Sequence, residues 1–136
     1  MNIYTGSGWH IEIVGHEALN RKLRAIGEAW EQAADDGTRG IAEEILVAAQ
    51  ARVPVKSGAL RSSGRVEQLE RHQYAVVFDT PYARRIELGF HGTDSLGRRY
   101  NQAGQPYLRP AYEEKRMVAL ERTAELIQRA TRQAAA

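Results

Sequence analysis

Asp79 and Glu87 lie close enough in sequence to converge across a short helix, and a pair of carboxylates can do acid–base work. No third group in the sequence would hold their pKa values apart, so ordinary solvated or ion-paired carboxylates account for them. The four histidines, His10, His16, His72 and His91, are dispersed, and no two share a helix face at the spacing zinc sites use. Lys56-Ser57 has the look of the end of a phosphate-binding loop. The upstream glycines that such a loop requires are missing, and Gly58 stands where its helix would begin. No serine sits in a Gly-x-Ser-x-Gly turn, and cysteine is absent, which removes disulfides, thiolate ligands and thiol nucleophiles together. The sequence therefore offers no catalytic residue, no metal ligand set and no cofactor site. One charge cluster stands out: Arg52, Lys56, Arg61 and Arg65 follow one another with no acid among them. Such a run can contact phosphate without reading sequence, although it lacks interleaved aromatics.

The elements that would position these residues fit one domain spanning residues 1–136. Two independent cores in 136 residues would be undersized, and a hydrophobic fraction of 43% with 26% charge belongs to an ordinary globular chain. A net charge of +2 specifies no partner. The longest uncharged apolar stretch, 45–51, is too short to cross a bilayer, and no basic region followed by an apolar run marks a signal peptide.

Residues 1–8 read as a flexible lead-in, and the alternation of Trp9, Ile11 and Ile13 as a strand. Leu19, Leu23, Ile26 and Trp30 share one helical face, predicting a helix over 16–34. Asp35-Asp36-Gly37 predicts a break, and a second helix over 38–52 buries Ile41, Ile45, Ala48 and Ala49 before Pro54 stops it. Segments 65–69 and 74–78 read as paired strands. Thr80-Pro81 reads as the cap and first position of a short helix carrying Tyr82, Ala83 and Ile86, which Gly89 ends. Residues 89–105, with four glycines and few apolar residues, read as a long mobile loop. A final helix over 106–132 repeats Met117, Leu120, Ala124 and Ile127. The fold class expected is α+β: a small, mostly antiparallel sheet packed by N-terminal helices and a long C-terminal helix.

Three segments in this order carry a resemblance. Val53-Pro54-Val55-Lys56-Ser57-Gly58-Ala59-Leu60-Arg61-Ser62-Ser63 ends a helix at proline, turns at Ser-Gly and opens a Leu-Arg-x-Ser strand. Tyr82-Ala83-Arg84-Arg85-Ile86-Glu87-Leu88-Gly89 gives Tyr-Ala followed by Glu-x-Gly, and Gln105-Pro106-Tyr107-Leu108-Arg109-Pro110-Ala111 opens the last helix. Together, over about residues 18–128, they resemble the phage head–tail joining proteins of the gene-ten-product type, also called tail-completion proteins. Leu88 stands where that family usually has an aromatic, Phe90 replaces a threonine, and Lys56 takes a position that is often acidic. The stretch 91–103 is longer than in many relatives.

The resemblance implies a structural virion protein of a phage neck. It would act as one subunit of a homo-oligomeric ring, most simply a hexamer, that completes the tail end and joins it to the head connector. Its partners would be further copies, the connector or stopper, a tail terminator or tail-tube protein, and DNA passing through the lumen; no membrane is involved. The motif residues Pro54, Gly58, Leu60, Arg61, Tyr82, Glu87, Gly89, Pro106 and Pro110 are expected to shape the subunit. In this reading Leu60 anchors a strand in the core and Arg61 pairs with Glu87. The loop residues Phe90, Asp94, Arg98, Arg99 and Tyr100 are candidates for oligomer or partner contact, and Arg52, Lys56 and Arg65 for contact with DNA in the lumen. The rival readings are a tail terminator or minor capsid component of the same particle, a small nucleic-acid-binding protein using the 52–65 run, and an enzyme built on Asp79 and Glu87.

Overall fold

The computed structural model describes residues 2–5, 9–12, 16–56 and 58–136; Ile13 and Ser57 lie outside them, as do Met1 and residues 6–8. Strands β1 (Asn2–Thr5) and β2 (Trp9–Glu12) pair antiparallel, with Ile3 opposite Ile11. Asn2–Thr5 is thus a strand, where a flexible lead-in was expected. Helix α1 (His16–Arg52) follows, then a single helical turn α2 (Ala59–Ser62) and the hairpin β3 (Gly64–Glu70) and β4 (Gln73–Phe78). Helix α3 (Ala83–Leu88) leads into a second hairpin, β5 (Phe90–Thr93) and β6 (Arg99–Gln102), before α4 (Leu108–Ala135). The α+β class holds. Among the described residues the strands form three separate antiparallel pairs rather than one sheet.

The two long helices dominate the architecture. They run antiparallel: Gly37 faces Thr123, Arg122 reaches Glu44, and Arg52 reaches Glu114. The expected break at Asp35-Asp36-Gly37 does not occur, because each residue that argued for a turn has another use. Gly37 is buried where α4 crosses, and a Cβ there would stand 2.8 Å from Cγ2 of Thr123. Asp35 is drawn onto the β3–β4 hairpin. Its Oδ2 accepts from the Tyr74 hydroxyl at 2.8 Å and pairs with Arg39 at 2.9 Å, while its Oδ1 accepts from the His72 backbone N–H at 3.2 Å. Asp36 accepts from Gln32 and Arg39 on the helix surface. Asp breaks helices by bonding to nearby backbone; with its oxygens engaged elsewhere that competition disappears.

The β3–β4 hairpin lies against α1. Its two-residue turn puts His72 at φ 64°, and Arg71 in the same turn pairs with Glu31 of α1. The pairing slips between Gln68 and Glu70, a bulge that leaves Leu69 exposed. Gly64, where this hairpin begins, sits so close to Phe78 and Leu46 that a Cβ would stand 2.7 Å from the ring.

The core gathers where the sequence motifs meet. Ile45, Ala48 and Ala49 of α1 and Val53 just beyond it pack with Leu60, Ala83, Tyr107 and Ala111, and Val76, Phe78, Ile86 and Leu108 close around them. The expected stripe of Ile45, Ala48 and Ala49 is buried. On α4 the buried residues are Ala111 and Ala119, whereas Met117, Leu120 and Ala124 are exposed, a correction of the expected face. Leu19, Leu23 and Trp30 are likewise exposed. Leu60, Arg61 and Ser62 belong to the helical turn α2 and do not start a strand, although Leu60 is buried as expected.

Because Gly37 sets how closely the two helices approach, Gly37→Ala should lower stability by about 1–2 kcal/mol even though alanine is the better helix former. In a Thr123→Ala background the clashing methyl and hydroxyl are gone, and the cost should fall by about 1 kcal/mol or more. Thermal melts of the four proteins check this; equal costs in both backgrounds would refute the close-approach explanation.

Candidate functional site

The most constrained group in the molecule is the carboxylate of Glu87. Its Oε2 accepts from the backbone N–H groups of Tyr107 and Leu108 at 2.8 and 3.0 Å, and its Oε1 from that of Arg109 at 3.0 Å. These are the free donors of the first turn of α4, and the next residue, Pro110, has no N–H to satisfy. A negative charge here also faces the positive end of the helix dipole. Burial alone raises the pKa of this carboxyl, but the three N–H donors and the nearby Arg109 guanidinium outweigh it and hold it below the usual glutamate range. Glu87 does not pair with Arg61, as was expected. Arg61 turns to the end of α1, where its Nε donates to the Gln50 carbonyl at 2.9 Å while Gln50 Nε2 donates to the Arg61 carbonyl at 3.1 Å. A helix C-terminus leaves carbonyls unpaired, and a guanidinium satisfies one of them.

The remaining motif residues act in the same way, as joints. The ring of Tyr107 is buried against Phe78 at 4.9 Å, edge to face, and its hydroxyl donates to the Ala83 carbonyl at 3.3 Å. Burial raises the pKa of that phenol. Gly58 adopts φ 75° between α1 and α2, a conformation that favours glycine, and Pro54 is half-buried just beyond the helix. Tyr82 stands at the N-cap of α3 without a side-chain cap bond; Thr80 does not cap the helix, and instead its carbonyl accepts from Ala83 N–H at 3.0 Å. Pro106 is exposed and Pro110 half-buried, on either side of the Glu87 cap.

The segment 89–105, expected to be a loop, is a β-hairpin arm. Gly89 and Gly104 cross so closely at its base that a Cβ on Gly89 would stand 2.6 Å from the Gln102 carbonyl oxygen, and Gln105 N–H donates to the Ile86 carbonyl at 2.7 Å. At the tip, Asp94 accepts from the backbone N–H groups of Leu96 and Arg98, both at 2.9 Å. It also accepts from Arg98 Nε at 2.7 Å and from the Tyr100 hydroxyl at 3.1 Å. The Arg98 backbone N–H, ahead of the Arg98 and Tyr100 side chains, holds the Asp94 carboxyl below its ordinary value. Phe90 packs on Tyr100 at 5.8 Å and under the Arg85 guanidinium at 4.3 Å. Of the five arm residues singled out, Phe90, Asp94, Arg98 and Tyr100 therefore fix the arm's own shape, and Arg99 is exposed.

Two of the four cations of the basic run are paired with carboxylates of the chain. Arg52 pairs with Glu114, and Arg65 with Glu67 at 2.6 Å and Asp79 at 3.4 Å, while Lys56 is exposed. Asp79 and Glu87 are thereby committed to different partners and form no catalytic pair. Among the described residues no group of three acidic or histidine side chains could hold a metal ion, and no helix is long and apolar enough to cross a membrane.

What the geometry leaves open is surface. An apolar groove of about 520 Å³ runs between α1, β4 and the start of α4, lined by Ile41, Ile45, Tyr74, Val76, Leu108 and Tyr112. It continues past Ile41 and Tyr112 to Met117 and Leu120. Met117 and Leu120 belong to the repeat noted along the last helix, and they are exposed; their offset from Ala111 and Ala119 around the helix separates the two faces.

A family model described as "Bacteriophage HK97-gp10, putative tail-component" matches residues 17–89, more than half of the chain. The chain belongs to this HK97-gp10-like family. No curated protein and no solved structure matches it. The matched span takes in α1, the Pro54–Gly58 turn, Leu60, the β3–β4 hairpin and α3, and it ends at Gly89, where the arm begins. This HK97-gp10-like protein is thus a structural component of a tailed phage, with its motif residues serving as joints between elements.

Glu87→Gln should destabilise the protein by roughly 0.5–2 kcal/mol at neutral pH, the range of a lost helix cap. The folded pKa is depressed, so the stability this carboxylate contributes is present above its unfolded pKa and is lost as pH falls through the folded value. The difference between wild type and Glu87→Gln should therefore shrink on acidification below about pH 4.5. Denaturant titrations at pH 7 and pH 3 read it; a difference that stays constant would refute the charged cap.

Proposed function

We propose that this chain is the subunit of a ring in the phage neck, most simply a hexamer, that completes the tail end and joins it to the head connector. Membership of the HK97-gp10-like family is the observation that carries the reading, because it puts the protein among tail components. The form of the subunit supports it. Two long antiparallel helices and a hairpin arm project from one small core, so a single chain offers different surfaces to different neighbours. A closed ring requires that, since its interfaces are heterologous.

In this reading the arm is the part offered to the connector or to the tail terminator. Leu96 and Arg99 are its exposed contacts, and Asp94, Arg98 and Tyr100 keep the tip in shape. Lys56 is the remaining candidate of the basic run for DNA in the lumen, because Arg52 and Arg65 already have carboxylate partners. The protein acts in the virion, at the neck, after assembly in the host cell.

Loss of the protein should leave DNA-filled heads and finished tails that fail to join. Removing only the arm tip, residues 94–98, and closing β5 to β6 with a short turn should weaken joining without unfolding the core, since the excised residues contribute nothing to it. Electron microscopy of the two lysates decides. Intact virions in the first would sink the neck role, and tails of uncontrolled length would make the protein a tail terminator instead.

A further inference from the structure

The apolar stripe of α1 outruns its partner helix. Leu19, Leu23, Ile26 and Trp30 continue the face that carries Gly37 and Ile41, spaced by three and four residues without a change of phase. Gly37 meets Thr123, and counting outward from that contact, α4 (Leu108–Ala135) finishes opposite about residue 25 of α1. Leu19 and Leu23 lie beyond that point, 58% and 57% exposed. Toward the other end of the same molecule the groove between α1, β4 and α4 presents Ile41, Tyr74, Val76 and Tyr112, extended by Met117 and Leu120, 59% and 65% exposed.

The exposed area says that such surfaces are meant to be covered. A compact monomer of 15.2 kDa exposes about 7,100 Å². This chain exposes 10193 Å². The first fifteen residues could expose at most roughly 2,400 Å² if fully extended, so an excess of about 700 Å² or more lies on the rest of the chain. That is comparable with the roughly 800 Å² that one partner covers in a standard interface.

We infer that the N-terminal tip of α1 in one copy, through Leu19, Leu23 and Trp30, docks into the groove of a second copy of this chain formed by Ile41, Tyr74, Tyr112, Met117 and Leu120. The inference rests on the ring reading above and supplies its contact. A helix laid in an apolar groove by residues at i, i+4, i+7 and i+11 is a common recognition geometry. Tip and groove are different surfaces of one chain, so each copy donates one and accepts one. That head-to-tail arrangement closes into a ring when the rotation per copy allows it.

The absence of cysteine makes the contact directly testable in the full chain. Within one copy Leu23 is fourteen residues up α1 from Gly37, which faces Thr123, so Leu23 and Leu120 of the same chain are about 20 Å or more apart. A disulfide needs Cα atoms within about 7 Å. The double variant Leu23→Cys with Leu120→Cys should therefore oxidise to a ladder of covalent oligomers, and a mixture of the two single variants to heterodimers, while neither single variant alone forms a covalent link. The three substituted positions, Leu19, Leu23 and Leu120, are on the surface, and circular dichroism should show an unchanged fold. Leu19→Ser with Leu23→Ser should shift sedimentation of the otherwise unaltered protein toward monomer. Covalent dimers from Leu23→Cys alone would mean tip-to-tip pairing and overturn the inference. So would the lack of any cross-link in the double variant. If that lack coexists with a head–tail joining defect in the deletion phage, the neck role stands and only this contact falls.

Discussion

The carboxylate of Glu87 closes the first turn of α4, and much of the molecule hangs on that closure. It lies on α3, six residues long, whose far end leads from the β3–β4 hairpin and whose near end becomes the arm at Gly89. Holding the N–H groups of Tyr107, Leu108 and Arg109 at once, it fixes both the position and the direction of a 28-residue helix. Small angular errors at the start of such a helix grow to several ångströms by its end. The same grip places the Tyr107 ring against Phe78 and brings Ala111 onto Ala49 and Ile45. The three sequence motifs, distant along the chain, are the three sides of this joint. One brings Val53 and Leu60, one Ala83 and Glu87, and one Tyr107 and Ala111.

How much of this was legible in the sequence follows from the range of each interaction. Local periodicity identified both long helices, the β3–β4 hairpin and the buried stripe of Ile45, Ala48 and Ala49, because those patterns are written in neighbouring residues. The continuity of α1 was not read, since Asp35, Asp36 and Gly37 are turn formers whenever nothing else engages them. The engagement of Asp35 and Gly37 comes from Tyr74, His72 and Thr123, far away in sequence, while Asp36 is held by Gln32 and Arg39 on the helix itself. One local signal did argue for a single helix: the stripe from Leu19 to Ala48 keeps its phase straight through the supposed break. A true turn would have had no reason to preserve that phase.

The candidate site was legible in its residue types and not in its pairings. Glu87 and Arg61 both looked like members of an ion pair, and each instead satisfies backbone groups at a helix end, Glu87 at a start and Arg61 at a finish. Complementary charge suggests a partner only when nothing better is within reach, and unpaired N–H or carbonyl groups at helix ends are strong competitors. The arm was misread as a loop for a related reason. Its pairing is held by Asp94 and by the crossing of Gly89 and Gly104, features that carry no period-two apolar pattern.

The composition of the core explains why so much apolar surface remains outside. Among the described residues, six of the ten buried apolar side chains are alanines. Alanines let helices and hairpin approach closely, and this sets geometry well. They remove little area from water, however, and area is what burial converts into stability at about 25 cal/mol per Å². The larger apolar residues, Leu19, Leu23, Trp30, Met117 and Leu120, are on the surface instead. A protomer built this way is shaped by its joints and stabilised further by whatever covers its faces, so folding and assembly are linked through mass action. For a part that must wait in solution and then lock into a particle, that division is physically sensible. Shape is settled within the chain, and in the proposed ring the largest remaining hydrophobic gain would come only when neighbouring copies meet.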